Sequence, residues 1–121
     1  MSRSLCLLVT RAPYGSLEPA EAIRHARGAA GKGWQVVLAF TGESVFTLLP
    51  GQSPRAGEWI GLSHAVTELI EEGKDRVQVL AEAPALTAAG LSPADLIPGV
   101  RPASLDDLAE ALARTDRTLV F

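Results

Sequence analysis

Cysteine is almost missing from this 121-residue chain: Cys6 stands alone. A single thiol excludes an internal disulfide and any cysteine-rich metal site. Histidine is nearly as scarce, and His25 and His64 lie too far apart in sequence to give metal-ligand spacing. Excess positive charge is missing too. The formal net charge is −3, whereas a protein that neutralises nucleic-acid phosphates is normally basic, so no direct nucleic-acid binding is expected. No apolar run approaches the roughly 18 residues that span a membrane. The opening MSRSLCLLVT carries a short apolar run and one Arg, less than a signal peptide needs. It reads as a first strand, and a cytoplasmic protein is expected.

Familiar ligand motifs are absent as well. The loop after the first strand, TRAPYGS, has neither G-x-G-x-x-G nor G-x-x-x-x-G-K-[ST], which argues against dinucleotide or Walker-type phosphate binding. The second strand ends in Phe40-Thr41, without an acid to hold a ribose. No G-x-S-x-G supplies a nucleophile elbow. No cofactor and no metal are expected.

What is present is an ordinary globular composition, 47% apolar and 21% charged, over a length that suits one domain spanning residues 1–121. Leu5–Val9 is continuously apolar, the pattern of a strand buried on both faces, and Gln35–Phe40 and Val77–Ala81 read the same way. Thr118–Phe121 predicts a last strand, and a fifth is expected near Val100. Between them, Glu18 is expected to cap a helix with Pro19 in its first turn. Ile23, Ala26 and Ala30 line its inner face, and Gly31 or Gly33 ends it. A second helix is expected from about Glu58 to Glu72, ended by Gly73, with Ile60, Ser63, Val66 and Ile70 as its stripe, widened by Leu62 and Leu69. Ser104 and Asp107 have capping-box spacing before a third, whose inner stripe would be Leu105, Leu108 and Leu112. Strands alternating with helices predict a three-layer α/β fold, an open and mostly parallel sheet of about five strands, flavodoxin-like or Rossmann-like.

Ligands in such folds sit at the carboxyl ends of the strands. Thr10, Arg11, Tyr14 and Gly15 on the first strand-end loop are therefore the ligand or pocket candidates, with Gly15 expected to hold a shape that a Cβ would strain. The alternative is a turn with a capping role. The next strand-end segment, FTGESVFTLLPGQSP, carries Val45, Phe46, Leu48 and Leu49 where a solvated loop is usual. These residues either cover the protein's own sheet edge or meet another subunit. Phe46, Leu48, Leu49 and Gln52 are the interface candidates, with Gln52 left free to hydrogen-bond. His25 reads as a solvated residue and His64 as helix-surface or interface packing. Cys6, between Leu5 and Leu7, reads as a buried core residue. Trp34 and Trp59 read as packing or interface residues.

Three segments resemble the DsrE/DsrF-like family of sulfur-relay proteins, in particular its TusC/DsrF branch. RAPYGS, residues 11 to 16, is similar to the family's A-P-[YH]-G-[ST] turn. VFTLLPGQ, residues 45 to 52, is close to V-[FY]-x-L-x-x-G-Q, and AAGLSPADL, residues 88 to 96, to R-G-L-[DT]-x-x-D-L, with Ala89 in place of the Arg. The resemblance implies an obligate oligomer, a trimer or hexamer of one chain or of related subunits. It also implies that, in the DsrE/TusD branch, a cysteine just after the third strand carries sulfur as a persulfide. That position falls near Glu82 here, and neighbouring Ala81 and Ala83 offer no thiol. The expected function is a non-catalytic subunit of a DsrEFH/TusBCD-like relay, with DsrE/F/H-like or TusB/D-like partners. The alternatives are a homo-oligomeric small-ligand binder and an enzyme built on Arg11, Glu43 or Glu82, for which no catalytic constellation is legible.

Overall fold

The computed structural model describes residues 3–52 and 61–121. Five strands, β1 (Ser4–Val9), β2 (Gln35–Phe40), β3 (Val77–Glu82), β4 (Val100–Ala103) and β5 (Arg117–Val120), form one parallel sheet in the order β4-β3-β2-β1-β5. Four helices connect them: α1 (Glu18–Gly31), α2 (Leu62–Gly73), α3 (Ala83–Ala88) and α4 (Leu105–Arg114).

Chirality decides the layering. The chain steps from β1 to β4 in one direction, and right-handed crossovers put the intervening helices on one face. It then returns past β1 to add β5, which puts α4 on the other face. The side chains agree. Leu7, Val36, Leu38, Phe40, Val79 and Ala81 point to the larger core under the first three helices. Cys6, Val37, Ala39 and Leu80 pack with Leu108 and Ala111 of α4.

Local sequence explains most of the elements. The α1 stripe of Ala22, Ile23, Ala26 and Ala30 is buried, and its small side chains let the helix lie close to the sheet. Glu18 is not the cap: Leu17 flanks the helix without a side-chain bond, and Glu18 is its first residue. Its carboxylate turns instead to Arg11, 3.1 Å away. The expected second helix begins, as described, at Leu62; residues 58–60, with Trp59, lie outside the described residues. Its buried line runs through Leu62, Val66, Leu69 and Gly73, while Ile70 is only partly buried. A Cβ on Gly73 would stand 2.1 Å from the Val77 side chain, so the turn into β3 requires glycine. Trp34 packs at the rim of the larger core beneath the Arg3 guanidinium, 5.7 Å from the ring centre.

The Ser104–Asp107 capping box forms on α4. Leu105, however, is 59% exposed, and the inner stripe is Leu108, Ala111 and part of Leu112. The sheet beneath is floored by Ala39 and Ala103, so the helix approaches through its own alanine and turns Leu105 outward. Among the described residues, no helix is long and apolar enough to cross a membrane.

Candidate functional site

At the carboxyl edge of the sheet, the first strand-end loop, the segment after β2, the end of β3 and the start of α2 come together. Thr10 closes the β1/β5 crevice, where the strand order reverses. Its backbone N–H and its hydroxyl both donate to the Phe121 carbonyl, at 2.9 and 2.8 Å. That crevice is where a ligand of a doubly wound sheet would ordinarily sit. His25 lies against the same Phe121, ring centres 5.4 Å apart, with Nδ1 2.8 Å from the Glu21 carbonyl oxygen.

Tyr14 adopts φ +65°, the left-handed region unusual for a side chain this large. Its hydroxyl donates to Gln52 Oε1 and accepts the Leu62 N–H at 3.0 Å. The Gln52 amide donates to the Thr47 and Leu49 carbonyls at 2.9 and 2.7 Å. Gln52 is therefore not free. It closes the preceding turn and ties that turn, through Tyr14, to the first helical residue of α2. Gly15 does not carry the strained backbone either; Tyr14 does, and a Cβ on Gly15 would meet nothing within 4 Å.

Residues Gly42–Leu48 form a 3-10 helix. With three residues per turn, Val45 and Leu48 fall on one face, and both are wholly buried in the larger core. Ser44 hydrogen-bonds the Val9 carbonyl at 2.7 Å, which fastens the helix to the end of β1. Leu48 is thus a core residue and not a surface one. Leu49 is half-buried against the same core, while Phe46 remains 39% exposed. Leu17 and Tyr14 are further exposed apolar side chains of this edge, at 80% and 50%. Thr47 Oγ1, fully buried, has no hydrogen-bond partner among the described residues.

Glu82 ends β3, and its carboxylate accepts the Gly42 N–H at 3.0 Å. Arg11 is held by Glu18. Cys6, 1% exposed, lies under α4 in the sheet interior. Burial pushes its thiol above the ordinary range, with the Arg114 charge opposing in part. On the outer helices Arg27 bridges Glu68 and Glu72 at 3.3 and 2.6 Å, and His64 lies 3.2 Å from Glu68. No group of three or more potential metal ligands occurs among the described residues.

The DsrE/DsrF-like family model matches residues 3–121. The chain belongs to the DsrE/DsrF-like family. The uncharacterized protein MK0008 of Methanopyrus kandleri is 30% identical over 117 residues, covering 97% of this chain and 93% of the relative. The crystal structure of the ychN protein from E. coli superposes with a TM-score of 0.86 at 25% identity, over the whole of both chains. MTH1491 from Methanobacterium thermoautotrophicum, of unknown function, has the same fold, with a TM-score of 0.72 at 16% identity over 99% of this chain and all of that one. The DsrE/DsrF-like fold brings the first two resemblance segments into contact through Tyr14 and Gln52. The residue that follows the third, Ile97, is joined to the second through its N–H, which donates to the Leu48 carbonyl at 3.0 Å. Sequence reading missed the Tyr14–Gln52–Leu62 link and the Glu82–Gly42 bond. The available signal was a tyrosine inside the first motif and a glutamine at the end of the second.

Proposed function

We propose that this chain is a non-catalytic subunit of a sulfur-relay complex of the TusC/DsrF kind, which positions related subunits that carry the reactive cysteine. One observation carries the reading. Glu82 occupies the end of β3, where the resemblance places the persulfide cysteine, and its carboxylate is engaged by the Gly42 backbone. Cys6 is a poor substitute. A nucleophilic cysteine needs access and a stabilised thiolate, whereas this thiol is buried and held protonated.

The exposed Phe46, with Tyr14 and Leu17, provides an apolar patch on the same edge, the kind of surface that marks association. In this reading the patch contacts DsrE/F/H-like or TusB/D-like partners, or further copies of the chain in a trimer or hexamer. The small-ligand alternative has less support, because Thr10, Arg11 and Tyr14 direct their polar atoms to Phe121, Glu18 and Gln52.

The test is the native mass of the chain alone and mixed with other small DsrE/F-like proteins of the same genome, at least one bearing a cysteine after its third strand. A mixed complex that Phe46→Ser dissolves is the expected result. A chain that stays apart from every such protein contradicts the proposal.

A further inference from the structure

A cavity of about 340 Å³ opens at the opposite, amino edge of the sheet. By register, Ser4, Gln35, Val37 and Gln78 line up on the face that α4 covers. The end of α4 overhangs them with Arg114 and Thr115, and Asp75 and Arg76 of the turn before β3 close one side.

Two arginines, Arg76 and Arg114, line this cavity against a single carboxylate, Asp75. Arg11, Arg24 and Arg27 are each ion-paired, but no ion pair joins Arg76 or Arg114 to an acid among the described residues. Arg114 donates to Gln78 Oε1 at 3.0 Å. A guanidinium has five N–H donors, so most of its capacity is left over. The bond also occupies the Gln78 oxygen, leaving that side chain's amide N–H groups as donors.

Two of the negative features nearby are hydrogen-bonded by protein groups. The Thr115 hydroxyl caps the Ala111 and Leu112 carbonyls at the negative end of α4, at 3.0 and 3.3 Å. Asp116 is bound by the Ser4 N–H and hydroxyl at 2.8 and 3.0 Å. Asp75 is the one opposing charge in the lining.

We propose that this cavity binds a small oxyanion, a carboxylate or a sulfate-like group, between Arg76 and Arg114. Guanidinium forks match the paired oxygens of such groups, and the volume suits a small molecule. The site lies the length of β3 from Glu82, about 20 Å, and does not depend on the relay reading.

The test follows backbone amide resonances while sodium sulfate, and in a second series sodium acetate, replaces sodium chloride at constant ionic strength. Saturable shifts at Ser4, Gln35, Gln78 and Thr115 are expected with at least one anion, and which anion acts tells tetrahedral from planar recognition. Arg114→Gln or Arg76→Gln should weaken binding about tenfold, the worth of one charge-assisted hydrogen bond. Asp75→Asn should tighten it. If Arg114→Gln fails to fold, Arg76→Gln decides. Shifts that never saturate, affinity untouched by the arginine changes, or weaker binding in Asp75→Asn would overturn the proposal, the last because removing a negative charge from the lining should strengthen an anion site.

Discussion

Gln52 is the residue on which the carboxyl edge depends. Its side chain satisfies the carbonyls that a short 3-10 helix leaves open and receives the Tyr14 hydroxyl in return. Gln52→Ala should cost about 1–2 kcal/mol in chemical denaturation, and Tyr14→Phe about 1 kcal/mol. The double variant should lose less than the sum, because the two share one bond. Thr47→Val should do the opposite and raise the melting temperature, since it removes a buried hydroxyl with no partner. The sequence showed these as polar residues in motifs, but their partners lie 38 or more positions apart for Tyr14 and depend on how the loops close. For the same reason Gly15 misled: the strained φ belongs to its neighbour, and Gly15→Ala should fold as the natural chain does.

Cys6 adds a pH dependence with a definite sign. Burial raises the thiol's pKa in the folded state above its unfolded value, so the stabilisation is fully present below the unfolded pKa, about 8.5. It declines as pH rises through that value toward the folded one, where the unfolded chain releases the proton first. As pH rises past the unfolded value, about 8.5, the melting temperature of the natural protein should fall more steeply than that of Cys6→Ala. Parallel slopes would mean that the thiol ionises as readily folded as unfolded.

At the scale of elements, apolar runs located β1, β2 and β3 to within a residue, because a strand buried on both faces has room for polar side chains only near its ends. Alanine spacing did the same for α1. The segment after β2 was harder to read. Its four large apolar residues look like one surface until the three-residue period sorts Val45 and Leu48 inward and Phe46 outward. Two substitutions separate these roles. Leu48→Ala should cost about 2–5 kcal/mol, as deletion of a packed core side chain does. Phe46→Ser should change stability by no more than about 0.5 kcal/mol in the isolated chain and act only on association. The orientation of α4 was not legible either, since Leu105, Leu108 and Leu112 fit a helical stripe as well as the observed one does. Only the alanine floor of the sheet decides between them.

Across the whole molecule, the single helix on the second face follows from crossover handedness once the strand order is known. Family membership rests on the match over residues 3–121, which the three short motifs foreshadowed. The amino-edge cavity was invisible in the sequence because Ser4, Gln35, Gln78 and Arg114 are scattered along the chain and meet only through sheet register. The proposed role makes one demand on the molecule as a whole: folded, it must present no thiol that accepts sulfur. Incubation of the native protein with a persulfide donor, followed by intact mass spectrometry, tests that demand most directly. The account predicts an unchanged mass under conditions in which a cysteine-bearing relative gains one sulfur atom. A stoichiometric sulfur adduct on Cys6 would contradict it.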